Sequence, residues 1–387
     1  MTKKRRVIFL DLLRALAVVM MVMGHTVDAL LLDEYRSYDY AGFKAWQFAR
    51  GMTAPIFMLT AGTVFVYLLR STTLPFRDNP RVAKGVKRAL LLLAVGYLLR
   101  FPSSSIIGVF SAPAEQWRAF WAVDALHLIG VGIFLLLSVV YLSEKLRLNE
   151  LAVFGVSGLF FFVCAPFSEQ IIWNERLPTP IAAYCYSGSG SLFPLFPWAG
   201  YVMIGGLLGA YLARDGQEFA PSKLNRKLML AGTTLVALYY YVGSLKDAGY
   251  GPAYLWTYSH ELTLLRLGSV FLLMVPVTFI SAKVRAVPQT LLAVGRRTLP
   301  IYVTHLVILY GSPWSHGLNR IFYRSLSPWP SIFAALLMLI LMIGLALIYS
   351  KVAGDKLNAR ETPQPHCAEP PVPPSGNQLS TQNQVGR

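Results

Sequence analysis

The stretch FLDLLRALAVVMMVMGHTVDALL, residues 9–31, decides the fold. It is apolar and long enough to cross a hydrocarbon core as one helix, which takes about 20 residues, yet it carries Asp11, Arg14, His25 and Asp28. With about 100° of rotation and 1.5 Å of rise per residue, Arg14 and His25 fall within about 20° of one face, roughly 16 Å apart along the axis. Asp11 and Asp28 lie on the same side, within an arc of about 100°. The remaining faces are Leu, Ala, Val and Met. Lipid cannot solvate such a stripe, so it must face protein or water.

Working outward, the chain has 387 residues, 55% hydrophobic and 14% charged, a composition that excludes an ordinary soluble protein. Apolar runs of spanning length fall near 7–30, 50–69, 86–104, 119–142, 150–167, 192–213, 228–245, 262–282, 290–311 and 331–351. The expectation is an all-α polytopic membrane protein of about ten transmembrane helices, its transmembrane domain filling residues 1–352. The basic start MTKKRR followed by an apolar core also suits a cleavable signal, but the run is too long for one and contains Asp11 and Arg14. Residues 353–387, rich in Pro, Gln, Asn and Ser, are expected to form a disordered cytoplasmic tail.

Orientation follows from Lys and Arg, which resist translocation. With the N-terminus inside, the cytoplasmic loops collect most of them, including Arg81, Lys84, Lys87, Arg88, Arg296 and Arg297. The outer side keeps fewer: Arg36, Lys44, Arg50, Arg100, Arg118, Arg176, Lys246, Arg320 and Arg324. Both termini are therefore expected in the cytoplasm. The formal charge of +16 reads as topology and contact with membrane lipids, with no aromatic-basic array pointing to nucleic acid. Cys164, Cys185 and Cys367 have no metal-ligand spacing, so no metal site is expected; Cys164 and Cys185 fall near the outer face, where a disulfide is open to them.

An ionisable side chain inside a membrane is costly and by default functional, with structural pairing as the competing explanation. Asp11 and Arg14 fall in the cytoplasmic third of the first span, and His25 and Asp28 near its outer mouth. The other spans repeat the outer station. In FWAVDALHLIG, Asp124 and His127 are placed on one face of a helix entering from outside. In YSHELTLLRLG, His260, Glu261 and Arg266 sit at or just below the outer surface, and in VGRRTLPIYVTHLVIL, Arg296 and Arg297 are inner while His305 is outer. Any single histidine here could be a satisfied core residue or a helix-helix hydrogen bond. Together they suit proton removal from an alcohol or amine, covalent acyl transfer through histidine, or a proton relay in a transporter or exporter of polar solutes. A non-catalytic membrane scaffold is a third class. The glycines and prolines of SGSGSLFPLFPWAGYVMIGGLLGAYLAR read as a loop and a closely packed helix, with Trp198 as an interfacial anchor or an acceptor wall.

The segments RVIFLDLLRALAVVMMVMGHTVDAL, APIFMLTAGTVFVYLLR, WAVDALHLIGVGIFLL, FPWAGYVMIGGLLGAYLAR and VGRRTLPIYVTHLVIL, in this order, resemble the catalytic domain of heparan-alpha-glucosaminide N-acetyltransferase. That family is related to the type-3 transmembrane acyltransferases, whose first span carries Arg, ten residues, then His, as Arg14 and His25 do. The resemblance implies a multi-pass enzyme of the plasma or inner membrane. It would take an acetyl or other short acyl group from cytoplasmic acetyl-CoA or another acyl-CoA and deliver it to a hydroxyl or amine of an extracytoplasmic, sugar-containing acceptor. The acyl-CoA is a co-substrate and no permanent cofactor is implied; a homodimer is compatible. By position, His25 would be the base or acyl-relay residue, and Arg14, with Asp11, would hold the donor channel; the residues themselves suggest Asp124 and His127 as helpers of His25, and Arg296 and Arg297 either as partners of the CoA phosphates or as ordinary inner-side positive residues. Asp28, His260, Glu261, Arg266 and His305 would stand on the acceptor side.

Overall fold

The computed structural model describes residues 2–214, 221–250, 261–284 and 287–361, with side chains described over 8–214, 221–250, 262–284 and 287–352. The long helices are α1 (Thr2–Leu30), α2 (Ala41–Arg70), α3 (Pro80–Leu99), α5 (Ala125–Lys145), α6 (Glu150–Ser168), α8 (Leu195–Arg214), α9 (Pro221–Asp247), α10 (Glu261–Lys283) and α14 (Pro328–Glu361). Short helices α4 (Ala114–Trp121), α7 (Thr179–Cys185) and α13 (Asn319–Phe322) and a small hairpin, β1 (Gly311–Ser312) with β2 (Ser315–His316), lie between them. The pair α11 (Gln289–Arg296) and α12 (Thr298–Tyr310) forms one broken traverse bent by 77°.

Eight helices are long and apolar enough to span a membrane, and the broken pair makes a ninth among the described residues. The protein is an all-α, polytopic membrane protein. The remaining apolar run, near 86–104, is the C-terminal half of α3, whose first half carries Arg81, Lys84, Lys87 and Arg88. The last helix runs to Glu361, beyond the start assigned to the tail at 353; residues 362–387 lie outside the described residues.

Two spans begin or run differently from their hydropathy. The run at 119–142 is two elements, because Ala122 is extended and Asp124 caps α5, its carboxylate accepting the Ala125 N–H at 2.7 Å. The run at 290–311 is not one straight helix. Pro300 has no N–H to give to the carbonyl four residues back, and its ring would clash there, so the chain turns at Arg297 before α12 begins.

Helix packing follows the small residues. A β-carbon on Gly205 would lie 2.1 Å from the Leu59 carbonyl oxygen, one on Gly62 2.2 Å from that of Val202, and one on Gly209 2.4 Å from that of Thr63. From Leu59–Gly205 to Thr63–Gly209 the contacts advance by four residues on both helices, so α2 and α8 run parallel with their backbones nearly touching. On the opposite flank, Gly96 faces His127 and Gly85 faces Leu137 and Phe65, which sets α3 antiparallel to α5.

At the end of α1 that carries His25 and Asp28 the last backbone carbonyls are all satisfied. The carbonyls of Val27, Asp28, Ala29 and Leu30 accept from Leu31 N, Arg36 Nη1, Arg324 N and Leu326 N, at 2.9, 2.9, 3.1 and 2.9 Å. The last four carbonyls of a helix have no partner within it, so this clamp fixes where α1 stops and how its final turns are presented. Substituting Gly205 by Val inserts a side chain where α2 backbone already stands. Overpacking of this kind costs about 1–3 kcal/mol, so the variant is expected to lose several degrees of thermal midpoint in detergent and to elute as aggregate in size-exclusion chromatography.

Candidate active site

Because α1 and α12 run side by side, His25 meets His305, with Nδ1 of His25 3.0 Å from Nε2 of His305 and the rings stacked. The second nitrogen of His305 fixes the proton positions. Its Nδ1 is 2.8 Å from the carbonyl oxygen of Ile301, which only accepts, so Nδ1 carries the hydrogen. In the neutral ring Nε2 of His305 is then an acceptor, and it must receive the Nδ1–H of His25. That leaves Nε2 of His25 with a free lone pair. His305 is fully buried, whereas His25 lines a cavity of about 1420 Å³ at the end of the bundle away from the N-terminus.

Around that cavity the carboxylates are paired. The Asp28 carboxylate accepts from Arg36 at 2.6 Å and from Arg50 at 2.7 Å. Asp124 accepts from the Ala125 N–H, from Arg100 at 3.3 Å and from the Tyr302 hydroxyl at 3.4 Å. Asp124 lines the same cavity as His25, with no hydrogen bond between them among the described residues. Tyr302 and Tyr310 complete the wall beside the histidines, the Tyr310 hydroxyl 3.5 Å from the His25 carbonyl oxygen.

The structure gives His127 a different surrounding. It is fully buried and off the cavity. Its Nδ1 accepts the backbone N–H of Asp124 at 3.2 Å, closing a capping box on α5, and Tyr97 packs edge-on at 4.3 Å. Asp124 and His127 therefore do not share a helix face; they secure a helix start. Arg266 lines the cavity with its guanidinium over Trp198. His260 and the side chain of Glu261 lie outside the described residues.

At the opposite end, Asp11 is buried and joins α1 to the broken traverse. Its carboxylate accepts from Arg296 Nε at 3.0 Å and stands 3.8 Å from Arg14. Gly295 permits this, since a β-carbon there would lie 2.5 Å from the Asp11 carbonyl oxygen. Arg297 sits at the 77° turn. The His25 cavity reaches along α1 as far as Met20 and Met21 and does not include Asp11 or Arg14. Asp11, Arg14 and Arg296 meet at one end and His25, Asp28, Asp124, Arg266 and His305 lie at the other, together with Arg50, Arg100, Tyr302 and Tyr310, which the sequence reading did not single out. The sequence signal for Arg50 and Arg100 was their place among the few basic residues of the loops expected on the outer side.

This architecture defines a multi-pass membrane protein with a histidine-centred chamber at one end. The family model for heparan-alpha-glucosaminide N-acetyltransferase, catalytic, matches residues 6–243, and the chain belongs to that family. It is accordingly a membrane acyltransferase. No curated protein and no solved structure matches it. Asp11, Arg14, His25, Asp28, Asp124 and His127 lie inside the matched stretch, while Arg266, Arg296, Arg297 and His305 lie beyond it.

The two roles of Asp124 separate by substitution. Asp124→Asn keeps a capping oxygen and gives up only the charge opposite Arg100, so its thermal midpoint is expected to fall less than that of Asp124→Ala. Asp124→Ala removes the cap, a loss of about 1 kcal/mol, and leaves Arg100 unpaired, so its midpoint in detergent falls by a few degrees.

Proposed function

We propose that the chain moves an acetyl or other short acyl group from cytoplasmic acyl-CoA to a hydroxyl or amine of an extracytoplasmic, sugar-containing acceptor seated in the His25 cavity. The observation that carries this reading is the ordered hydrogen-bond chain from Ile301 through His305 to His25, which leaves Nε2 of His25 as the base. Nε2 takes the acceptor's proton as its oxygen or nitrogen attacks the thioester carbonyl; the carbon-sulfur bond breaks and the CoA thiolate leaves. The charge that develops on the His25 ring is stabilised through its Nδ1–H by Nε2 of His305, a bond worth more once the donor is cationic.

Donor binding is assigned to the other end. Arg14, Arg296 and Arg297 offer forked donors to CoA phosphates, with Arg88 within electrostatic reach of Arg14. Arg296 is 57% exposed, so its guanidinium is available to a ligand while Asp11 holds its position. The acyl group must then pass the packed layer at Met20 and Met21, roughly 9 Å of helix between Arg14 and the floor of the cavity. Transfer therefore requires that layer to open when the donor binds.

Purified protein in liposomes with labelled acetyl-CoA tests the assignment. His25→Ala is expected to lower acyl transfer by about 10²–10⁴, and undiminished transfer would overturn the role of His25. His305→Ala is expected to lower kcat roughly tenfold, the loss of one buried hydrogen bond in the reacting state, with KM for the donor little changed. Solute flux through the liposomes without acyl-CoA would favour a transporter instead.

A further inference from the structure

The His25 cavity, at about 1420 Å³, exceeds the roughly 300–1,000 Å³ that holds a drug-sized ligand, and its deeper part is apolar. Four of the chain's eleven methionines line it, Met20 and Met21 from α1 and Met52 and Met58 from α2, together with Phe57 and with Leu265 of α10. This part lies on the donor side of His25. The chain returns along α2 beside α1 after residues 31–40, and a β-carbon on Gly24 would lie 3.5 Å from Arg50 Cγ, so Arg50 stands level with the turn that holds His25. Met58 is eight residues further along α2, about 12 Å deeper, and is fully buried. The Phe57 ring stacks on Tyr302, centroids 6.3 Å apart, one turn of α12 before His305.

Water in a space lined this way finds few polar partners, and an empty space forfeits dispersion contacts; an apolar guest removes both costs. Methionine is unbranched and flexible, and it recurs on surfaces that accept apolar guests of varied shape. The CoA arm is assigned a path along α1, from Arg14 past Met20 and Met21, and its amides need hydrogen-bond partners. Met52, Phe57, Met58 and Leu265 offer none beyond the weak acceptor of the thioether. The space beside the arm therefore suits a chain without polar atoms. Acetyl, with a single methyl group, leaves that space unfilled.

We propose that the part of the cavity lined by Met52, Phe57, Met58 and Leu265 binds the alkyl chain of the donor, and that the preferred acyl group is butyryl or hexanoyl rather than acetyl. The proposal rests on the reading of this cavity as the place where the thioester meets His25. The thioester carbonyl stays at His25 while the chain turns down between α2 and α10, so chain length decides how firmly the reacting carbon is held. The bonds made and broken in the transfer are unchanged; the chain contributes only burial.

The experiment measures binding of CoA and of acetyl-, butyryl-, hexanoyl- and octanoyl-CoA to the purified full chain in lipid nanodiscs, with binding to empty nanodiscs subtracted. A buried methylene is worth about fourfold in affinity, so butyryl- or hexanoyl-CoA is expected to bind about tenfold or more tighter than acetyl-CoA. Leu265→Trp fills the space and is expected to bring hexanoyl-CoA back to the affinity of acetyl-CoA, leaving acetyl-CoA unchanged. Met58→Ala lengthens the space and is expected to move the optimum to octanoyl-CoA, and shifts in opposite directions are not what unfolding produces. Butyryl- and hexanoyl-CoA binding no tighter than acetyl-CoA, or a length profile unmoved by both variants, would overturn the proposal. So would an equal loss of every donor and of CoA itself in Leu265→Trp, since the space would then hold the CoA arm. A flat donor profile with decyl glucoside binding that Leu265→Trp abolishes also sinks it, giving the space to the tail of a lipid acceptor. His25→Ala is expected to keep the length profile while losing transfer, whereas failure of every CoA thioester to bind removes the acyl-CoA reading as well, so the two fail distinguishably.

Discussion

The interior of a bilayer offers no water, and the rest of this structure depends on that constraint acting on one helix. The polar stripe on α1 can exist only if its members meet protein partners in place of water, as Arg14 does with Asp11 on the same helix and the others do with side chains from elsewhere in the chain. Asp11 meets Arg296, Asp28 meets Arg36 and Arg50, and His25 meets His305. Because the partners of Asp11 and His25 belong to the two halves of one broken traverse, α1 and the α11–α12 pair are registered against each other at both ends. The turn at Arg297 lets a single segment serve both stations.

The same constraint separates catalytic chemistry from structural pairing. A histidine whose two nitrogens are committed to fixed partners, as in His305, holds a position. One with a single nitrogen committed and the ring on a cavity, as in His25, can take a proton. His127, enclosed by Tyr97 and Gly96 and bound to its own helix cap, belongs to the packed interior away from the cavity. Residue type and depth are alike in all three. What distinguishes them is which neighbours the fold supplies.

Much of the architecture was legible because it follows from local rules. Apolar length sets the spans, and the glycines of α8 mark close backbone approach. The expected boundaries failed where a side chain overruled hydropathy: Asp124 stops an apolar run by capping the next helix, and Pro300 breaks one by withholding a hydrogen-bond donor. Both residues were visible in the chain. Their effect was not, since a window average of hydropathy has no term for a cap or a missing N–H.

By itself the sequence determined that this is a helical membrane protein of the acyltransferase family, and that Arg14 and His25 share one helix face. These follow from composition, from helix geometry and from motifs that are contiguous along the chain. Only the tertiary structure decided that His25 is keyed to His305, 280 residues away, that His127 is withdrawn from the cavity, and that Arg266 faces it over Trp198. The reason is physical: a helix face fixes the direction in which a side chain leaves its own axis, but the protonation and charge of that side chain depend on what another helix brings to meet it.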